Sequence, residues 1–181
     1  GPSSDARTRS RNARYPLAKR NGGGPQKRES MKIALACHPT HGGSGVVAAE
    51  LGMRLAARGH EVHFVSYERP FRLDPLAPGV HFHKVQVSSY PLFRYPPYAL
   101  ALANELLQVV NSEGVEIIHA HYAIPHSLAA VLARNMQRDG NVKVVTTLHG
   151  TDITLVGADP SYAEITRWAI EQSDSVTVVS D

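Results

Sequence analysis

From residue 32 onward the chain alternates short apolar runs with longer amphipathic ones, and this rhythm constrains its fold more than any other feature. Lys32–Cys37 (KIALAC) is apolar and too short for a helix. Gly42–Gly45 is a glycine-rich turn, and Val46–Arg58 then carries apolar residues at helical spacing up to Gly59, a common helix stop. The same reading predicts strands over Glu61–Ser66, Val80–Val87, Glu116–His119, Val142–Leu148 and Ser175–Val179. It predicts helices over Pro97–Asn111, Pro125–Arg138 and Tyr162–Gln172. Strands that alternate with helices of this length imply a parallel sheet with right-handed crossovers. Runs such as IALAC and VTVV suit strands covered on both faces. The expectation is an α/β, Rossmann-like, doubly wound domain over residues 31–181.

Charge divides the chain. Residues 1–30 hold eight Lys/Arg and two Asp/Glu, with almost no large apolar residue, and predict a disordered basic leader or tag ahead of Met31. Residues 31–181 hold eleven Lys/Arg and fourteen Asp/Glu. The basic balance therefore belongs to the leader, and a nucleic-acid-binding fold, which needs a basic surface, is disfavoured. The single cysteine, Cys37, sits in an apolar run and permits no intrachain disulfide. No apolar stretch approaches the ~20 residues of a membrane span. A cytoplasmic protein is expected. The last strand is followed at once by the chain end, which suggests that the closing elements lie in further sequence.

In an open parallel sheet, ligands bind beyond the carboxyl ends of the strands. Four polar clusters fall at such places. His38–Gly45 (HPTHGGSG) follows the first strand, and its glycines and helix start suit either an anion or a plain tight turn. It matches neither the GxGxxG pattern nor a Walker A loop. His119–His126 (HAHYAIPH) places two histidines on one strand face. Zinc would need further ligands that the sequence does not name, so hydrogen-bonding histidines are expected and no metal. Thr146–Asp152 (TTLHGTD) ends a β-branched strand, and its Asp152 could cap a helix or orient a neighbour. Arg94–Tyr98 (RYPPY) is a stiff turn carrying two phenols, and Arg167 lies on the last helix.

These clusters, in this order, resemble family 4 glycosyltransferases of the two-domain GT-B architecture. Within them the likeness runs to the branch that joins N-acetylglucosamine (GlcNAc) to L-malate in bacillithiol synthesis. Met31–Gly45, Pro70–Leu73 (PFRL), Tyr95–Tyr98 (YPPY), Ile117–His126 and Thr146–Thr154 carry it. The resemblance implies a retaining, metal-independent transfer of GlcNAc from UDP-GlcNAc to malate, with no cofactor. It also implies a second, carboxyl-terminal domain that holds UDP, so that residues 31–181 are the amino-terminal acceptor domain and are inactive alone. It places Gly42, Gly43, Ser44 and Gly45 near the donor diphosphate and His149 at the transferring sugar. Tyr95, Tyr98, Tyr122, Thr151 and Arg167 become the acceptor contacts. No paired catalytic carboxylates are seen, which argues against a glycosidase. Two rival readings stand beside this one: a related transferase for an inositol phosphate or a lipid-linked sugar, and a non-catalytic Rossmann-type binding module. Self-association of the whole protein is left open.

Overall fold

The computed structural model describes residues 29–74 and 76–179, so all but the end of the predicted leader lies outside the described residues. Six parallel strands form one sheet: β1 (Lys32–Ala36), β2 (Glu61–Ser66), β3 (Val80–Lys84), β4 (Ile117–His121), β5 (Lys143–Leu148) and β6 (Ser175–Val178). Their order is β3-β2-β1-β4-β5-β6, the doubly wound arrangement that the alternation predicts. Helix α1 (Ser44–Ala57) links β1 to β2, and α2 (Tyr98–Glu113) carries the chain from β3 back to β4. Helices α3 (Leu128–Met136) and α4 (Ala163–Glu171) make the last two crossovers.

Apolar residues fill both sides of the sheet. Leu35, Val62 and Phe64 are buried with Ala48 of α1 on one face. Ala34, Val65, Ile118 and Val144 are buried on the other, against Leu102 and Leu106 of α2 and Val131 of α3. Helix α1 can press close because Gly52 has no side chain: a Cβ there would lie 2.3 Å from the Phe64 ring.

Several predicted boundaries shift. Helix α1 starts at Ser44, two residues early, because the glycine loop turns directly into it. Strand β3 ends at Lys84 instead of Val87, since it is an edge strand with β2 as its one partner. Strand β4 runs on to His121, where it is still in register with Thr147 of β5. Pro125 falls in a wide turn over Ala123–Ser127, so α3 begins only at Leu128. A second wide turn over Asp152–Val156 was not predicted.

Candidate functional site

The chain reverses its direction of travel across the sheet between β1 and β4, so a crevice opens beyond their carboxyl ends. A cleft of about 480 Å³ occupies it. His38, Thr40, Gly42, Gly43 and Ser44 line one wall, and Tyr122, His149 and Thr151 line the other. Strand order thus unites three of the four polar clusters, which lie far apart in sequence.

The first wall is built by the close fold of the glycine loop onto α1. A Cβ on Gly45 would stand 2.4 Å from the His38 carbonyl oxygen and 2.8 Å from that of Thr40. Only glycine permits that approach. Gly43 caps α1 with no side-chain hydrogen bond, so the helix presents its amino end to the cleft without a local acceptor. Free N–H groups at a helix start favour an anion.

The opposite wall is held by hydrogen bonds between the β4 and β5 loops. The Tyr122 hydroxyl and Thr151 Oγ1 are 2.7 Å apart. Tyr122 sits at φ 95°, ψ 134°, a region that side chains rarely enter. Its backbone N–H donates to the Thr147 carbonyl at 3.0 Å. Asp152 is fully buried, and its carboxylate accepts the backbone N–H of His149 at 3.0 Å and of Ala123 at 3.2 Å. It ties the two loops together, which is the orienting role its position suggested.

Behind the wall lies a cluster of histidines. His121 Nδ1 is 3.2 Å from His149 Nε2, and His119 Nε2 is 2.7 Å from Thr147 Oγ1. The row continues from Thr147 Oγ1 to Thr177 Oγ1 at 2.7 Å. His126 is fully buried and meets the His38 ring edge-on at 4.4 Å. Burial pushes His119 down to about 4 and His121 to about 2, with neighbouring histidines adding to both shifts. Burial likewise lowers His126 well below the usual range, and lowers His38 and His149. The cluster is therefore neutral at pH 7, and its ring nitrogens serve as hydrogen-bonding groups without charge.

Of the residues named from sequence, the cleft gathers Gly42, Gly43, Ser44, Tyr122, His149 and Thr151, with Gly45 packed directly behind. It does not gather the other three. Tyr98 starts α2 and packs edge-on against Tyr67, its hydroxyl buried without a partner and its pKa pushed up to about 12 chiefly by burial. Tyr95 is 74% exposed, with Arg94 over its ring. Arg167 pairs with Glu164 and lines a different cavity, beside Ile153 and Thr166. Sequence reading missed His38 and Thr40 as lining residues, although both fall in the cluster it singled out. Their signal was position directly after a buried strand.

Residues 41–181 match Glycosyltransferase Family 4, and the chain belongs to that family. Over 150 residues, 83% of this chain, it is 53% identical to N-acetyl-alpha-D-glucosaminyl L-malate synthase of Bacillus anthracis. That alignment spans 39% of the relative, so the chain covers about two fifths of that protein's length. Two solved structures share the fold. A glycosyltransferase from Rickettsia africae superposes with a TM-score of 0.60 at 18% identity, over 83% of this chain and 37% of that one. Sucrose-phosphate synthase from Thermosynechococcus elongatus superposes at 0.58 and 19% identity, over 81% and 41%. The fold is the Rossmann-like one found in GT-B glycosyltransferases.

Proposed function

We propose that this domain seats L-malate beside the sugar of UDP-GlcNAc, as the acceptor half of a retaining transferase that forms GlcNAc-malate. The observation that carries this reading is the 53% identity to the malate synthase over most of the chain. The cleft supports it. Malate brings two negative charges, yet no Lys or Arg lines the cleft among the described residues. What the cleft offers is the amino end of α1 and the hydroxyls of Thr40, Ser44, Tyr122 and Thr151. Such donors suit carboxylate and phosphate oxygens together.

In this proposal Gly42, Gly43 and Ser44 face the donor diphosphate, with Gly45 behind them holding the loop against α1, and Tyr122 and Thr151 hold the acceptor. Neutral His149 faces the transferring sugar, where a ring nitrogen can bond a hydroxyl without opposing the positive charge that develops at the anomeric carbon. The bond from that carbon to UDP breaks and a bond to the malate hydroxyl forms on the same face. The hydroxyl proton leaves with the diphosphate, so no step needs a protein carboxylate, metal or cofactor. Tyr95, Tyr98 and Arg167 join the acceptor only if their segments close over it. Binding of the UDP moiety is assigned to a second domain of the whole protein.

The test compares acceptors in the full-length enzyme that carries this domain. With UDP-GlcNAc and equal concentrations of L-malate and inositol phosphate, mass spectrometry is expected to find the malate glycoside. Preference for inositol phosphate would overturn the acceptor assignment. The 181-residue chain alone is expected to give no turnover, and rates matching the full-length enzyme would remove the need for a second domain.

A further inference from the structure

A second cluster lies at the opposite end of the sheet from the cleft. In the parallel register Lys32 stands beside Glu61, and His63 beside His81. These residues, with His83, point to the α2 side of the sheet near its amino-terminal edge. Among the described residues, Glu61, His63 and His81 bring one ligand atom each to within 4.8 Å of one another. His81 Nε2 is 3.2 Å from Glu61 Oε1, and His63 Nε2 is 3.6 Å from the same oxygen. Tetrahedral zinc, with bonds of about 2.0–2.1 Å, needs ligand atoms roughly 3.3 Å apart. Both contacts to Glu61 lie near that separation, and the stacked His63 and His81 rings, 18° from parallel, must turn toward one another to share an ion.

Two details indicate that something belongs between these atoms. His63 is 1% exposed, and its Nε2 has no hydrogen-bond partner. Its other nitrogen, Nδ1, is 3.0 Å from His83 Nε2. With the proton on Nδ1 and donated to His83, Nε2 presents its lone pair toward Glu61 Oε1, the arrangement that a cation shared by the two groups would hold. A ligating histidine whose second nitrogen donates to a fixed partner is the usual arrangement around a bound metal.

The surroundings are mixed in charge. Lys32 Nζ lies 3.2 Å from Glu61 Oε2, which opposes a cation but fixes the carboxylate with Oε1 toward the histidines. The negative charges of Glu105 and Glu113 on α2 also act on this group. Glu61 and His81 line an open cleft, so solvent can reach a bound ion.

We propose that Glu61, His63 and His81 bind a divalent ion of the zinc class, with water completing a tetrahedral shell and His83 positioning His63. Imidazole and carboxylate ligands favour such ions over calcium or magnesium. The ion would clamp edge strand β3 to β2, at a distance from the sugar chemistry and independent of it.

The test is calorimetric titration of the chain with zinc at pH 7.5, paired with the visible spectrum of the cobalt-substituted protein. Residues 1–30 contain no His or Cys, so the leader offers no competing imidazole or thiolate. One ion per chain is expected, with a tetrahedral cobalt band. His81→Ala and Glu61→Gln alter partly exposed side chains and should leave metal-free thermal unfolding unchanged while weakening zinc by more than about tenfold. His83→Gln should weaken it about 10- to 100-fold. His41→Ala, at the glycine loop, is the control and should change nothing. Failure of the unaltered chain to bind, binding that survives both His81→Ala and Glu61→Gln, or loss with His41→Ala would each overturn the site.

Discussion

Tyr122 concentrates the tension between stability and function at one position. Its φ of 95° belongs to conformations that cost a side chain on the order of 1–3 kcal/mol. Its hydroxyl, 2.7 Å from Thr151 Oγ1, forms part of the cleft wall. Tyr122→Gly is expected to relieve the strain and leave the urea midpoint unchanged or raised. The same change should cost the full-length enzyme about tenfold or more in malate affinity, through the lost phenol. A fall in both would mean that the ring's packing against His38, at 5.5 Å, outweighs the backbone strain. The identities of the cleft residues were legible in sequence where they sat in tight clusters after strands. The strain was not, because a residue's φ is set by the two loops it joins and carries no signature in the residue itself.

At the scale of elements, the cleft depends on two loops held in register. Asp152 accepts one N–H from each and is fully buried. Asp152→Ala leaves two backbone donors without their acceptor and is expected to destabilise the fold by about 2–6 kcal/mol, at roughly 1–3 per buried group. A urea titration measures this. A loss below about 0.5 kcal/mol would show that water replaces the carboxylate and that the loops are held by other contacts. The strands were readable because apolar runs punctuated by glycine leave few alternatives. Their ends were less so. Strand β4 gains two residues from pairing with β5, a contact visible only in the folded sheet. The wide turns over Ala123–Ser127 and Asp152–Val156 answer to Asp152 and to each other, and no local spacing announces them.

Across the whole molecule, buried neutral histidines set the response to acid. His119, His121 and His126 are held below the ordinary imidazole value of about 6.5, mainly by burial. Below that pH the unfolded chain takes up protons that the folded chain refuses, so stability falls with acid. Each histidine contributes a slope of about 1.4 kcal/mol per pH unit. The fall should begin near pH 6.5; His119 stops adding to it near pH 4, where it protonates in place, while His121 and His126 carry it to lower pH. Above pH 6.5 these groups add no dependence. Equal urea midpoints at pH 7.5 and pH 5.5 would show that the cluster opens to solvent. The doubly wound topology was inferred correctly from the alternation of elements alone. Grouping Glu61 with His81 was out of reach, because it follows from which strands become neighbours. The acceptor's identity likewise lies beyond the physics of the sequence and rests on relatedness.

In the proposed reaction malate sits in the cleft between the glycine loop and the Tyr122–Thr151 wall. Backbone amide NMR of the chain during titration with L-malate tests it most directly. Shifts should concentrate at Gly42, Gly43, Ser44, Gly45, Tyr122, His149 and Thr151, with weaker effects from D-malate. Saturating L-malate that leaves those amides unmoved, or that moves a different surface, would rule malate out of the cleft.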